Sequence, residues 1–245
     1  MDQKLDVRLW FIIIFAVLLT ISGASRAEST NRQQDSLKAV DLYRRAIDLA
    51  RKNNPEAALD LFEQSLVFRK KIFGDVHYRL GSTYMGMAIQ YKNLHQLDEA
   101  LENYRIAEEM FLHNAPLNDS RLGDVYTNIG NFYQLKGNLA EAIRYQERAV
   151  YVYEHSPDPV PQDNYLSAVY NLANCYHLTG REKEALALAM KNYRKGSLQQ
   201  NVRYQNLIAS IYASLDQTGK AAAIHREIIR KLEKKSSEYQ YTLAD

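Results

Sequence analysis

The sequence predicts an all-α protein, a solenoid of stacked antiparallel helix hairpins, and three observations predict it. A small residue recurs along the chain at Ala46, Ala88, Gly130, Ala173 and Ala209, and three residues after each stands Leu49, Tyr91, Tyr133, Tyr176 or Tyr212. Twelve residues after each small residue comes an alanine: Ala58, Ala100, Ala142, Ala185 and Ala221. The small residues are 42, 42, 43 and 36 residues apart. A near-constant period in this range marks an array of small stacked units rather than one closed core. Such an array excludes most enzyme folds and offers an extended binding surface.

The N-terminal element reads as an address. Lys4 and Arg8 precede an apolar run from Leu9 to Leu19, extended through Thr20 to Ile21, and small residues follow at Ser22, Gly23, Ala24, Ser25 and Ala27. That order is the signature of a secretory signal peptide over residues 1–27, with Ser25-Arg26-Ala27 as the cleavage tripeptide. The run of 13 residues is short for a membrane span, which needs about 20. An uncleaved signal anchor is the alternative. The expected location is secreted or periplasmic. Residues 28–35 read as a polar linker.

Residues 36–235 then carry five repeats, with approximate bounds 36–73, 74–116, 117–158, 159–195 and 196–235. Each reads as two helices, A and B. In the second repeat these are Arg79–Asn93 and Leu97–Phe111, and in the third Arg121–Leu135 and Leu139–Tyr153. Apolar residues at three- and four-residue spacing give each helix a buried stripe. Asn53-Asn54 before Pro55, Gly137-Asn138 and Thr179-Gly180 break the chain between A and B, and Pro55 suits a first helical turn. The extra residues of the long period fall between hairpins, at His113–Ser120 and His155–Asp163. A small residue in helix A facing an alanine in helix B lets the axes approach closely, and larger side chains there would strain the contact. Residues 236–245 look like the start of a sixth helix or a truncated cap.

On these residues the chain resembles the tetratricopeptide repeat family, in segments such as MAIQYKNLHQLDEALENYRIA (87–107), IGNFYQLKGNLAEAIRYQERA (129–149) and LANCYHLTGREKEALALA (172–189). The long period is similar to that of kinesin light chains and of many secreted bacterial repeat proteins. Departures are His95 where glycine is usual, Leu49 for the aromatic, and Ser65, Asn192 and Ile228 for the last alanine. The resemblance implies a right-handed α-solenoid and a non-enzymatic scaffold that binds a protein or peptide partner in a concave groove. The alternative it implies is the extracytoplasmic sensor portion of a larger signalling protein. In this family helix A lines the groove. Helical spacing then puts Lys92, Asn131, Gln134, Tyr170, Asn174, His177 and Asn206 along it, with Arg203 one turn before Asn206. Asn131 and Asn174 occupy the positions where the family's asparagines hold a peptide backbone. Tyr43 falls on the same side of its helix as Tyr170.

The remaining chemistry points the same way. The chain is 46% hydrophobic and 24% charged, as in folded soluble proteins. Its net charge is +2, and no basic face of the kind nucleic acid requires is visible. Arg69-Lys70-Lys71 and Lys231, Lys234 and Lys235 read as short helical charge runs. No two of the six histidines stand at the i, i+4 spacing of a helical metal site. The single cysteine, Cys175, lies on an apolar helix beside Tyr176 and reads as a buried thiol. No nucleophile–base set or glycine-rich loop is recognisable, so no catalytic residue, metal or cofactor is expected.

Overall fold

The computed structural model describes residues 30–114 and 119–242, and among them every regular element is an α-helix. The residues read as a leader and as its cleavage tripeptide lie outside the described residues. In chain order the helices are α1 (30–51), α2 Pro55–Phe73, α3 Tyr78–Asn93, α4 Leu97–Asn114, α5 Ser120–Leu135, α6 Leu139–His155, α7 Gln162–Leu178, α8 Glu182–Asn192, α9 Leu198–Ser214 and α10 Thr218–Thr242. They fall into two compact units, Met1–Asn103 and Tyr104–Asp245.

Two boundaries differ from the sequence reading. The stretch read as a polar linker is helical from residue 30. Arg32 donates to the Ile72 carbonyl at 3.1 Å and Asp35 pairs with Lys71 at 2.5 Å, so α2 gives those polar side chains partners. At the other end α10 runs unbroken through Ser236-Ser237 to Thr242, in place of a separate sixth helix. Serine carries only a modest helix penalty, and no proline or glycine interrupts this stretch.

The turn from A to B is one structure built five times. Asn53, His95, Gly137, Gly180 and Asp216 all take a left-handed backbone, with φ between 57° and 77°. The next residue's N–H reaches back five positions, to the carbonyls of Leu49, Tyr91, Tyr133, Tyr176 and Tyr212, at 2.8–3.0 Å. The left-handed residue's own N–H bonds three positions back. Together these bonds satisfy the orphan carbonyls of helix A as a Schellman motif. His95 therefore does glycine's work at this turn. The following helix begins at once, and the N–H of each repeat alanine, Ala58, Ala100, Ala142, Ala185 and Ala221, bonds the carbonyl four residues before it.

The connections from B to the next A share no such plan. His77 caps α3 through its ring nitrogen, Asp119 caps α5, and Ser197 and Gln200 form a capping box on α9. Pro161 precedes α7 with no side-chain cap. Helix α8 has 11 residues where α6 has 17. That loss accounts for the short last period.

Within the first unit, Leu42, Ala46, Ala58, Leu61, Phe62 and Met87 form one core. Arg69, part of a short helical charge run, is buried there. Its guanidinium lies 4.1 Å from the Tyr43 ring centroid and donates to the Arg79 carbonyl at 2.7 Å and to Thr83 Oγ1 at 3.0 Å. Tyr43, read as facing a groove, packs edge-on against Phe62 at 5.5 Å. Ser65, at the place of a repeat alanine, is fully buried and donates to the Ala39 carbonyl at 2.8 Å.

Within the second unit, α5, α7 and α9 approach one another more closely than α6, α8 and α10 do. The A helices therefore form the inner layer of that unit's curve. Leu166, Val169, Ala173, Ala185, Ala189, Tyr204, Leu207, Ile208 and Ile211 fill the seam between α7, α8 and α9.

Candidate functional site

The inner layer of the second unit carries seven of the eight residues that helical spacing places in a groove. Arg203 and Asn206 are exposed on α9, and Tyr170, Asn174 and His177 are half-buried on α7. Asn131 and Gln134 are half-buried on α5. Lys92 belongs to the first unit, in the last turn of α3, where burial lowers its ammonium pKa.

The strongest local geometry is at Tyr170. The Arg203 guanidinium lies 4.4 Å from the centroid of its ring. Behind it, Tyr204 meets Tyr170 edge-on at 5.5 Å and anchors itself by donating to the Leu166 carbonyl at 2.6 Å. Leu166, Ser167, Tyr170, Gln200, Arg203 and Tyr204 line a shallow depression there. A ring held from behind and covered by an arginine is a pre-organised contact surface, apolar in its body and cationic at its edge.

One turn along α7, Asn174 makes no side-chain hydrogen bond among the described residues, so both its donor and its acceptor are available to a ligand. His177 Nδ1 lies 2.7 Å from Glu182 Oε2. That contact holds the ring in one orientation with Nδ1 carrying the proton.

Asn131 behaves differently from Asn174, although the repeat makes them equivalent. Its Oδ1 accepts from Gln146 Nε2 at 3.0 Å and from Asn171 Nδ2 at 2.8 Å. The oxygen that a peptide N–H would use is already taken by the scaffold. The reason is Gly130. A Cβ at that position would come within 2.6 Å of Gln146 Nε2, so glycine lets the fully buried Gln146 side chain cross α5 and reach Asn131 and the Thr127 carbonyl. The small residue faces a glutamine there, one turn beyond the alanine expected. Gln134 is also engaged, accepting from the Cys175 thiol at 3.6 Å. Burial raises that thiol's pKa to about 11, so it stays protonated at neutral pH.

The sequence reading missed a second polar ladder, between hairpins. Arg105 on α4 donates to the Tyr133 hydroxyl at 2.9 Å, and the Tyr176 hydroxyl donates to Glu147 at 2.8 Å. Residues 105 and 147 are 42 apart, so these two repeat aromatics meet the same position of the preceding B helix. Arg148 lies 4.0 Å from the Tyr126 ring centroid and pairs with Glu108 at 3.0 Å. The signal was present in the sequence as charge at a fixed register, but tyrosine packing alone accounted for the aromatics.

Residues 42–78 and 121–194 each match the family model described as tetratricopeptide repeat. Those two segments are tetratricopeptide repeats. The fold of the chain is similar to that of a Podosopora anserina putative kinesin light chain with nearly identical TPR-like repeats. That match has a TM-score of 0.66 at 17% identity, over 81% of this chain and 95% of the other. BtubC (BKLC) from P. vanneervenii matches with a TM-score of 0.67 at 13% identity, over 84% and 91% of the two chains. YrrB, described as a TPR protein with an unusual peptide-binding site, matches at 0.57 and 17% identity, over 82% and 90%. No protein of curated function matches the sequence. Among the described residues no cluster of side chains suited to a metal ion occurs, and no helix is long and apolar enough to cross a membrane.

Proposed function

We propose that this protein is a non-enzymatic scaffold that holds an extended peptide of a protein partner against α5, α7 and α9. Arg203 stacked on Tyr170 carries this reading. The pair is half-exposed on the inner layer, and the unengaged Asn174 amide lies one turn further along the same helix. Asn174 would hold peptide backbone, accepting from N–H and donating to C=O. Arg203 would favour an acidic side chain, and the Tyr170 ring an apolar one. The peptide-binding site named for YrrB, a protein of the same fold, supports this mode. The test is a set of peptides selected against the intact protein and titrated against single variants. Asn174→Ala and Arg203→Ala should each weaken binding by roughly three- to tenfold or more, the loss of one hydrogen bond or one charged contact. Affinity lost on Arg144→Ala or Glu102→Ala, with Asn174→Ala silent, would put the site on the B helices and discard this reading.

The work of such a scaffold lies outside the cytoplasm in this proposal, which rests on Lys4, Arg8 and the Leu9–Ile21 run. Fractionation with N-terminal sequencing should find a chain beginning near Glu28. A cytoplasmic product that retains Met1 would overturn it.

A further inference from the structure

The third and fifth hairpins are built on the same register, 79 residues apart. In the third, the seam toward the preceding hairpin is filled by rings. Tyr145 stacks on Tyr133 with centroids 5.7 Å apart and planes 17° from parallel, and it packs against Tyr126 at 6.0 Å. Arg144 lies 4.8 Å from the Tyr145 centroid.

The fifth hairpin keeps the first ring and loses the rest. Tyr133 becomes Tyr212, but Tyr145 becomes Ile224, Tyr126 becomes Gln205 and Arg144 becomes Ala223. Arg105, which donates to Tyr133, has Met190 as its counterpart beside Tyr212. The short α8 covers less of this seam than α6 covers in the next hairpin back. What remains is a pocket of about 270 Å³ between α8, α9 and α10, walled by Met190, Tyr193, Ile208, Tyr212 and Ile224, with the charged Lys220 and Glu227 at its edge and the Lys220 ammonium 5.1 Å from the Tyr212 ring centroid. Met190 is 46% exposed at its mouth. An apolar cavity of about 150 Å³ already accepts benzene. Gln205 lines the pocket, is only 3% exposed and bonds Glu227 through its side chain, and its Oε1 has no donor among the described residues. A buried acceptor left unpaired is unfavourable, and a ligand that supplies the donor relieves it.

We propose that this pocket is a second binding site, on the side away from the inner layer, and that it takes the side chain of a tyrosine presented by a bound polypeptide. The ring stacks on Tyr212 in the place that Tyr145 fills against Tyr133, and the hydroxyl donates to Gln205. A leucine would fill the apolar part of the pocket but leave the Gln205 oxygen unpaired.

The experiment follows the methyl carbon resonance of Met190 in the full chain, labelled at methionine methyls, during titration with N-acetyl-tyrosinamide. The Met190 signal should shift saturably while those of the buried Met87 and Met110 stay in place. N-acetyl-phenylalaninamide, which lacks the hydroxyl, should bind roughly three- to tenfold more weakly. Ile224→Tyr should rebuild the internal stack and abolish the shift. Ala223→Phe serves as the filling variant if Ile224→Tyr does not fold. A Met190 signal that never moves, equal binding of the two amides, or a folded filling variant that still binds would each overturn the proposal.

Discussion

The two seams of the second unit are built from different materials. Between α5, α6 and α7 a buried polar network runs through the apolar packing. Gln146 bridges the Thr127 carbonyl and Asn131, Asn171 reaches the same Asn131 oxygen, and Asp124 accepts from Tyr153 at 2.6 Å and from Asn164 at 2.8 Å. Between α7, α8 and α9 the core is apolar, with Leu166, Val169, Leu207, Ile208 and Ile211 all buried, and a buried hydrogen bond across it runs from the Tyr204 hydroxyl to the Leu166 carbonyl. The same repeat therefore has two ways of joining hairpins. Apolar packing stabilises in proportion to area and tolerates small slides. A buried hydrogen-bond network adds less net stability, but it is satisfied in one register only. The polar seam sets where α7 sits on α5, and the apolar seam supplies more of the adhesion.

The largest expected effect is on the apolar seam. Ile211→Ala, at a fully buried position, should lower the unfolding free energy by about 2–5 kcal/mol, measured by denaturant titration. A loss as small as that of a surface substitution would mean the two seams do not differ as described.

The polar seam should fail through crowding. Gly130→Leu should cost about 1–3 kcal/mol or more, because Gln146 has nowhere to go. The sharper form is a double-mutant cycle. Gly130→Ala should be milder in a Gln146→Ala background than in the wild type, with a coupling of about 0.5 kcal/mol or more. Zero coupling would remove Gln146 as the reason for the glycine.

The A-to-B turns are the same on both seams, so they provide a control. Gly137→Ala and Gly180→Ala place a side chain at φ 76° and 77° and should each cost about 1–2 kcal/mol. His95→Gly, at φ 61°, should stabilise by about 0.4–1 kcal/mol. Unequal costs for the two glycines would show that the seam beneath the turn matters as well.

The smallest effect is one of pH. Burial raises the Asp124 pKa, and the hydrogen bonds from Tyr153 and Asn164 offset part of that rise. The folded state therefore holds this proton more tightly than the unfolded chain. The group's contribution is full below the ordinary carboxylate pKa and is lost as pH rises through its folded value. Asp124→Asn should be the more stable protein at neutral pH, and the difference should shrink as pH falls toward about 4. A difference that grows on acidification would reverse the assigned direction.

Much of this architecture was legible in the residues. The small–aromatic–alanine sets placed the A and B helices of the second and third repeats within a few residues of their observed ends. Asn53-Asn54, Gly137 and Gly180 marked three of the five turns. His95 and Asp216 gave no such signal, because a left-handed residue other than glycine is chosen by the closed turn around it. The register placed Tyr170, Asn174 and His177 on one A helix and Arg203 and Asn206 on the next, and these two helices, α7 and α9, pack on one another.

By itself the sequence determined what repeats: period, hairpin, and the short turn whose hydrogen bonds involve residues no more than five apart. These are local consequences of spacing and backbone chemistry. The tertiary structure alone decided which members of equivalent pairs are spent on the scaffold. Asn131 is held by Gln146 and Asn171 while Asn174 is not, and Arg69 turns inward onto Tyr43 although its neighbours Lys70 and Lys71 are ordinary surface cations. The physical reason is that a polar side chain's role depends on whether a donor or acceptor from another helix reaches it first. That partner lies 15–40 residues away for Asn131, beyond the reach of any local pattern.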